Sequence, residues 1–276
     1  MVKEKGNSNK KNQGLNLEKD QHLLKDKKII EKEISLAEVK NKDKIIEVGG
    51  GRGYLTKKLA ESKASKIRCF EIDKNFKPYL DKLEKQFPDK LKIRYKNALK
   101  ENWEEYNKII SNIPYSLSEP LIQKAIESEQ EKLVLIVGEK FKEKLTSIDR
   151  GGESSTIGII ANLFYNVEPI TKIPKDKFTP PPETNSWLMT LTKKSASQLG
   201  RKEKILQDII QYNGKIKNAI IWSLIQHEIK GKKITKNQAR EIIKNLGLNK
   251  QVLEKPTTRI TGKFIQKLKK ELPSQI

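Results

Sequence analysis

Over the first two thirds of the chain, short apolar runs alternate with longer stretches whose apolar positions recur at helical spacing. Lys44-Ile45-Ile46-Glu47-Val48, Ser65-Lys66-Ile67-Arg68-Cys69-Phe70 and Lys108-Ile109-Ile110-Ser111 read as strands. Leu133-Val134-Leu135-Ile136-Val137 is apolar without a break, the pattern of a strand covered on both faces. Segments 54–62, 74–86 and 119–128 between them have the length of helices. Alternation of this kind predicts an α/β fold with a mostly parallel, doubly wound sheet. A turn-rich stretch, Phe178-Thr179-Pro180-Pro181-Pro182, precedes one more strand over 187–192.

Beyond Lys193-Lys194-Ser195-Ala196-Ser197 the period becomes helical throughout. Ile205, Leu206, Ile209 and Ile210 share one face, and 216–229 is a second helix. Thr235-Lys236-Asn237-Gln238 has the form of a capping box for a third, which Gly247 can close. A fourth runs from about 261 to 272. Trp187, Trp222 and Phe264 are expected in the core. Three regions result: a basic tail at 1–16 with almost nothing to bury and expected to be disordered, an α/β domain at 17–194, and a small all-helical domain at 200–276.

Charge changes the picture next. The chain has 57 Lys+Arg against 35 Asp+Glu, a formal net charge of +22. Such a surplus repels itself unless a polyanion supplies the counter-charge, so nucleic acid is the first candidate partner and an anionic membrane surface the second. A Lys-rich composition without function is the bland alternative. No run approaches the ~20 apolar residues of a membrane span, and the first residues lack the apolar stretch of a secretory signal. One cysteine, Cys69, permits no internal disulfide and fits a reducing cytoplasm. With only His22 and His227 beside it, no structural zinc site is expected.

Two motifs carry chemistry. Glu47-Val48-Gly49-Gly50-Gly51-Arg52-Gly53 follows the first strand and opens a helix, so its glycines let the backbone turn sharply against a ligand. The spacing is not the dinucleotide G-x-G-x-x-G, because Tyr54 stands at its last position. Glu71 ends the second strand about 20 residues on, where a carboxylate can grip both hydroxyls of a ribose. Together they indicate a nucleoside-containing cofactor without saying which.

The second motif is Ser111-Asn112-Ile113-Pro114-Tyr115, at the carboxyl end of its strand. An exocyclic adenine amine is a poor nucleophile because its lone pair is delocalised into the ring. An Asn112 side-chain carbonyl and a backbone carbonyl, that of Ile113, can accept both N–H hydrogens and free the lone pair. Pro114 stiffens the turn, and Tyr115 offers a face for the base, where stacking is worth roughly 1–3 kcal/mol. An Asn-Pro turn after a strand is also common without function.

Read together, these segments resemble the KsgA-type ribosomal RNA adenine dimethyltransferases, a group that also includes the Erm resistance methylases. Lys19-Asp20-Gln21-His22-Leu23-Leu24 resembles the family's opening G-Q-[NH]-F-L segment, and Ser111 to Pro120 (SNIPYSLSEP) its catalytic motif. Asn97-Ala98-Leu99 sits where the family contacts the cofactor adenine. Phe178 to Ser186 is similar to the F-x-P-P-P-x-V-D-S segment, whose Phe stacks on the target base. Asp20, Leu23, Gly138-Glu139-Lys140 and Asn185 depart from the family pattern, as does the diluted basic run 214–218.

The resemblance implies S-adenosyl-L-methionine as cofactor, contacted by His22, Leu24, Gly49, Gly51, Glu71, Asn97 and Asn112. It implies a target adenine held between Tyr115 and Phe178 beside the Asn112-Ile113-Pro114 turn. The implied product is N6,N6-dimethyladenosine at two adjacent adenosines near the 3′ end of small-subunit ribosomal RNA, made by a cytoplasmic monomer on an assembling subunit. Lys140, Lys142, Lys144 and the Arg201-Lys202-Glu203-Lys204 run are candidates for RNA-backbone contact. An Erm-type enzyme acting on large-subunit RNA, and an assembly factor that keeps the fold without turnover, are the alternatives.

Overall fold

A computed structural model describes residues 22–147, 155–227 and 233–273; the proposed tail at 1–16 and the Asp20-Gln21 pair lie outside the described residues. The chain forms β1 (Leu23–Leu24), α1 (Lys27–Ala37), β2 (Lys44–Val48), α2 (Tyr54–Glu61), β3 (Lys66–Phe70), α3 (Lys77–Gln86), β4 (Leu91–Arg94), β5 (Lys108–Asn112), α4 (Ser118–Glu127) and β6 (Lys132–Gly138). Then come α5 (Glu139–Thr146), α6 (Thr156–Phe164), β7 (Tyr165–Ile173), β8 (Phe178–Thr179) and β9 (Ser186–Lys193). The rest is helical: α7 (Arg201–Gln211), α8 (Ile216–Gln226), α9 (Lys236–Asn245), α10 (Lys250–Leu253) and α11 (Gly262–Glu271).

Seven strands form one sheet in the order β4-β3-β2-β5-β6-β9-β7. The first five are parallel, and β9 runs antiparallel to both of its neighbours. β6 is buried from Leu133 to Gly138, as its unbroken apolar run predicts. The chain proceeds from β2 outwards through β3 to β4, then returns to the other side of β2 for β5 and β6. The strand order therefore reverses between β2 and β5. Ligands bind outside the carboxyl ends of strands at such a point.

Side-chain parity along the strands separates two layers. Ile45, Ile67, Cys69, Ile110, Val134 and Ile136 face α1, α2 and α3. Ile46, Val48, Ile109, Leu133 and Leu135 face a second cluster, which continues through α4 and α6 into α7, α8, α9 and α11. The helical segment is thus packed on the sheet layer through one apolar cluster. Gly262 makes this close: a Cβ there would stand 2.6 Å from Ile159 Cδ1, and its N–H donates to Thr156 Oγ1 at 2.9 Å.

Local chemistry explains several boundaries. Asp26 caps α1 by accepting from the N–H groups of Lys28 and Ile29. The capping box at Thr235 and Gln238 forms as the sequence predicts, and Gly247 follows α9 with φ +58°. Trp222 departs from expectation: it is 42% exposed and packs against Tyr212 with ring centroids 5.7 Å apart and the planes tilted by 44°. It stands on the outward face of α8, a helix apolar enough all round that its spacing does not say which side is buried. Trp187 and Phe264 are partly buried against the second cluster. Among the described residues, no helix is long and apolar enough to cross a membrane.

Candidate active site

A cavity of about 360 Å³ opens at the carboxyl ends of β2, β3 and β5, where the strand order reverses. Its size lies in the ~300–1,000 Å³ range of small-molecule sites. Gly49 and Gly51, with φ of +85° and +52°, form one wall. A Cβ on Gly51 would come within 2.9 Å of Leu23 Cδ2, so only glycine leaves this wall open while the opening segment lies across it.

Glu71 stands opposite, at the end of β3. Its Oε2 accepts from the Gly51 N–H and its Oε1 from the Asp73 N–H, both at 2.8 Å. The two backbone donors fix the carboxylate, and its remaining lone pairs are available to vicinal hydroxyls. Asn97 spends its Oδ1 on the Leu99 N–H, so its NH2 is the group left to offer a ligand. Ile72 lies between Glu71 and Asp73, lines the cavity and is 65% exposed, a flat apolar contact that sequence patterning missed. An apolar residue alone in a polar turn was the available signal.

Asn112, Ile113, Pro114 and Tyr115 line the same cavity, as do His22 and Phe178. The Asn112 Oδ1 is buried and has no hydrogen-bond partner. An unsatisfied buried acceptor costs about 1–3 kcal/mol and is relieved by an incoming donor. Tyr115 is held by its hydroxyl, 2.6 Å from Ser186 Oγ, while Gly138 lies flat against the ring.

Three segments far apart in sequence are clipped together here. Leu23 and Leu24 pair antiparallel with Thr179 and Phe178, and His22 Nδ1 lies 2.8 Å from the Pro180 carbonyl oxygen. A carbonyl only accepts, so that ring nitrogen carries the proton. The His22 ring stacks on Tyr115 at 6.0 Å between centroids. Leu24 does not line the cavity: it is buried beside Phe178 in the two-residue ladder.

A second cavity, of about 650 Å³, shares His22 and Tyr115 with the first and is lined by Lys140, Lys144, Pro181 and Pro182. Lys142 instead lies over the Trp187 ring at 4.6 Å. Lys202 donates to the Leu272 carbonyl at 2.5 Å and so closes the end of α11.

The layer beneath the cavity holds buried carboxyls. Burial pushes Glu47 up to about 8, against hydrogen bonds from Thr56 and Cys69 that pull it down. Glu33 is raised well above its ordinary value by burial and by the Glu47 charge. The folded protein therefore keeps protons that the unfolded chain has released. The stability this gives is complete below the ordinary carboxyl range and is lost as pH rises through the folded values. The expected result is an unfolding free energy that falls between about pH 5 and 8, by up to ~1.4 kcal/mol per pH unit for each group, with the melting temperature falling alongside. Carboxyls lowered by lysine partners, such as Asp43 and Glu38, titrate below this window. Calorimetry across the range would check it, and Glu47→Gln should flatten the slope.

Comparisons with known proteins agree with this arrangement. Residues 12–258 match the family described as ribosomal RNA adenine dimethylase. A probable ribosomal RNA small subunit methyltransferase A of Methanococcus maripaludis is 34% identical over 233 residues, 82% of this chain and 86% of the relative. A dimethyladenosine transferase from Plasmodium falciparum has the same fold, with a TM-score of 0.60 and 24% identity, over 90% of this chain and 96% of that one. So does the 23S rRNA methyltransferase ErmE, with a TM-score of 0.59 and 18% identity, over 91% of this chain and 99% of that one. The chain belongs to the ribosomal RNA adenine dimethylase family: it is an S-adenosylmethionine-dependent rRNA adenine dimethyltransferase.

Proposed function

We propose that the enzyme dimethylates N6 of two adjacent adenosines near the 3′ end of small-subunit ribosomal RNA, acting as a cytoplasmic monomer on an assembling subunit. The observation that carries the reading is the joining of two cavities at His22 and Tyr115. One offers a nucleoside cradle and the unpartnered Asn112 Oδ1; the other is lined by lysines suited to RNA phosphates. The small-subunit relatives in Methanococcus favour that substrate over large-subunit RNA.

In this reading Gly49, Gly51, Glu71 and Asn97 hold S-adenosylmethionine. His22 closes over its methionine end, with Leu24 supporting the closure from the ladder. The bound cofactor supplies an electrophilic methyl group. Asn112 Oδ1 and the Ile113 carbonyl accept the two amine hydrogens of an extruded adenine, which draws the nitrogen lone pair out of the ring. Pro114 fixes the turn, and Tyr115 and Phe178 hold the base by stacking. No strong base is needed, because the nitrogen proton becomes acidic once methylated; positioning and electrostatics carry the rate. Residues 17–194 form the catalytic domain, and the helices of 200–276 extend the basic surface for RNA.

The test is tritium transfer from S-adenosylmethionine to small and large subunits isolated without this methylation, with nucleoside analysis of the product. Dimethyladenosine in small-subunit RNA is the expected outcome. Label confined to large-subunit RNA would assign the enzyme to the Erm type, and label in neither would leave an assembly factor.

A further inference from the structure

Helix α1 buries Ile30, Glu33 and Ala37 on one face, so a carboxyl occupies the middle of an otherwise apolar stripe. This face packs on β5 and β6. Strand parity places Asn112 on the same side of the sheet as Ile110, and Glu47 on the same side as Ile45, both towards α1. Glu33 is fully buried, and neither carboxyl oxygen meets a partner in hydrogen-bond geometry. The Asn112 side chain, on the β5 end that faces α1, is the polar neighbour that offsets part of the cost of burying the carboxyl. Nothing in the reaction described above uses Glu33.

An asparagine amide has two ends, and only one serves this chemistry. If Nδ2 turned to the cavity, its hydrogens would oppose those of the adenine amine. If Oδ1 turned inwards it would face the Glu33 oxygens. A neutral carboxyl has one acceptor oxygen and one O–H; with the O–H turned to Glu47, whose buried Oε2 has no partner, the acceptor oxygen is left for Nδ2. We propose that Glu33 is a positioning residue: from behind β5 it accepts from Asn112 Nδ2 and so keeps Oδ1 directed at the amine of the target adenine. The residue touches neither cofactor nor substrate. The proposal rests on Asn112 serving as the acceptor for that amine.

A buried carboxyl without full hydrogen bonding is costly, and its replacement by an apolar group of similar volume is often neutral or stabilising. A structural role and a positioning role therefore diverge in Glu33→Leu. Positioning predicts a melting temperature unchanged or higher, an unchanged dissociation constant for S-adenosylmethionine by calorimetry, and a kcat about tenfold lower, as for one lost orienting hydrogen bond. Glu33→Gln, which keeps a carbonyl for Nδ2, should restore most of the rate. In an Asn112→Ala background Glu33→Leu should cost nothing further, because the group it orients is gone. If leucine disturbs the packing of α1, Glu33→Met serves the same purpose. A wild-type kcat in these apolar variants would overturn the proposal. So would a parallel fall of kcat and melting temperature, or full additivity with Asn112→Ala. Wild-type turnover by Asn112→Ala alone would instead remove the reading of Asn112 on which the proposal stands.

Discussion

Replacing Asn112 by alanine is expected to lower kcat by about 10²–10³, the usual cost of removing one preorganised polar group from a reacting centre. Cofactor affinity should change only a few-fold, since the glycine wall and the fixed Glu71 carboxylate remain. The reason is the state of Oδ1 before substrate arrives: a buried acceptor with no partner. In the proposed mechanism its interaction is made only when the amine is in place, so its loss should appear in turnover rather than in cofactor binding. Single-turnover transfer to RNA, compared with calorimetric binding of S-adenosylmethionine, separates the two. Asn112→Asp gives a sharper check. A carboxylate could accept the same hydrogens, but beside Glu33, in the layer that holds Glu47, it would be held protonated by burial and like charge. Its activity should therefore be low at neutral pH and rise in alkali. An alanine variant that turns over at the wild-type rate would show that backbone carbonyls suffice.

Much of this site was legible because the reaction and the fold both depend on local sequence. Glycine is required where φ is positive, as at Gly49 and Gly51, and acidic or amide side chains stand at strand ends, as Glu71 and Asn112 do. Strand β2 begins and ends where its apolar run does, and β6 shows burial on both faces by its composition. Other elements follow from tertiary contact and carry little local signal. β7 contains Pro169, which local sequence disfavours in a strand; it forms because it is the outer strand of the sheet, with its register shift beside that proline. The pairing of Leu23 and Leu24 with Thr179 and Phe178 joins positions more than 150 residues apart, and neither two-residue segment is recognisable as a strand by itself. Glu33 was hidden for the opposite reason. In a Lys- and Glu-rich helix it resembles a solvated charge, and only the packed structure shows that it sits in the buried stripe.

The second large effect is expected at Glu71, and it should have the opposite kinetic signature. Glu71→Ala removes a carboxylate already anchored by the Gly51 and Asp73 N–H groups, so its cost to the ligand is not diluted by rearrangement. Hydrogen bonds to a charged acceptor contribute about 1.5–3 kcal/mol each, so loss of a ribose contact is expected to weaken S-adenosylmethionine by about 10²-fold. The pH dependence has a definite sign. Burial raises the Glu71 carboxyl above its ordinary value, with the backbone donors pulling it back. As pH falls through that raised value the carboxylate is protonated and loses an acceptor site, so affinity should decline on the acid side in wild type. The decline should be shallower in Glu71→Ala. At saturating cofactor, kcat of the variant should return close to wild type, because the role proposed for Glu71 is to hold the cofactor and not the amine. A variant whose kcat stays depressed at every cofactor concentration would mean that Glu71 also sets the position of the reacting methyl. The ribose would then be a lever on the chemistry as well as a handle for binding.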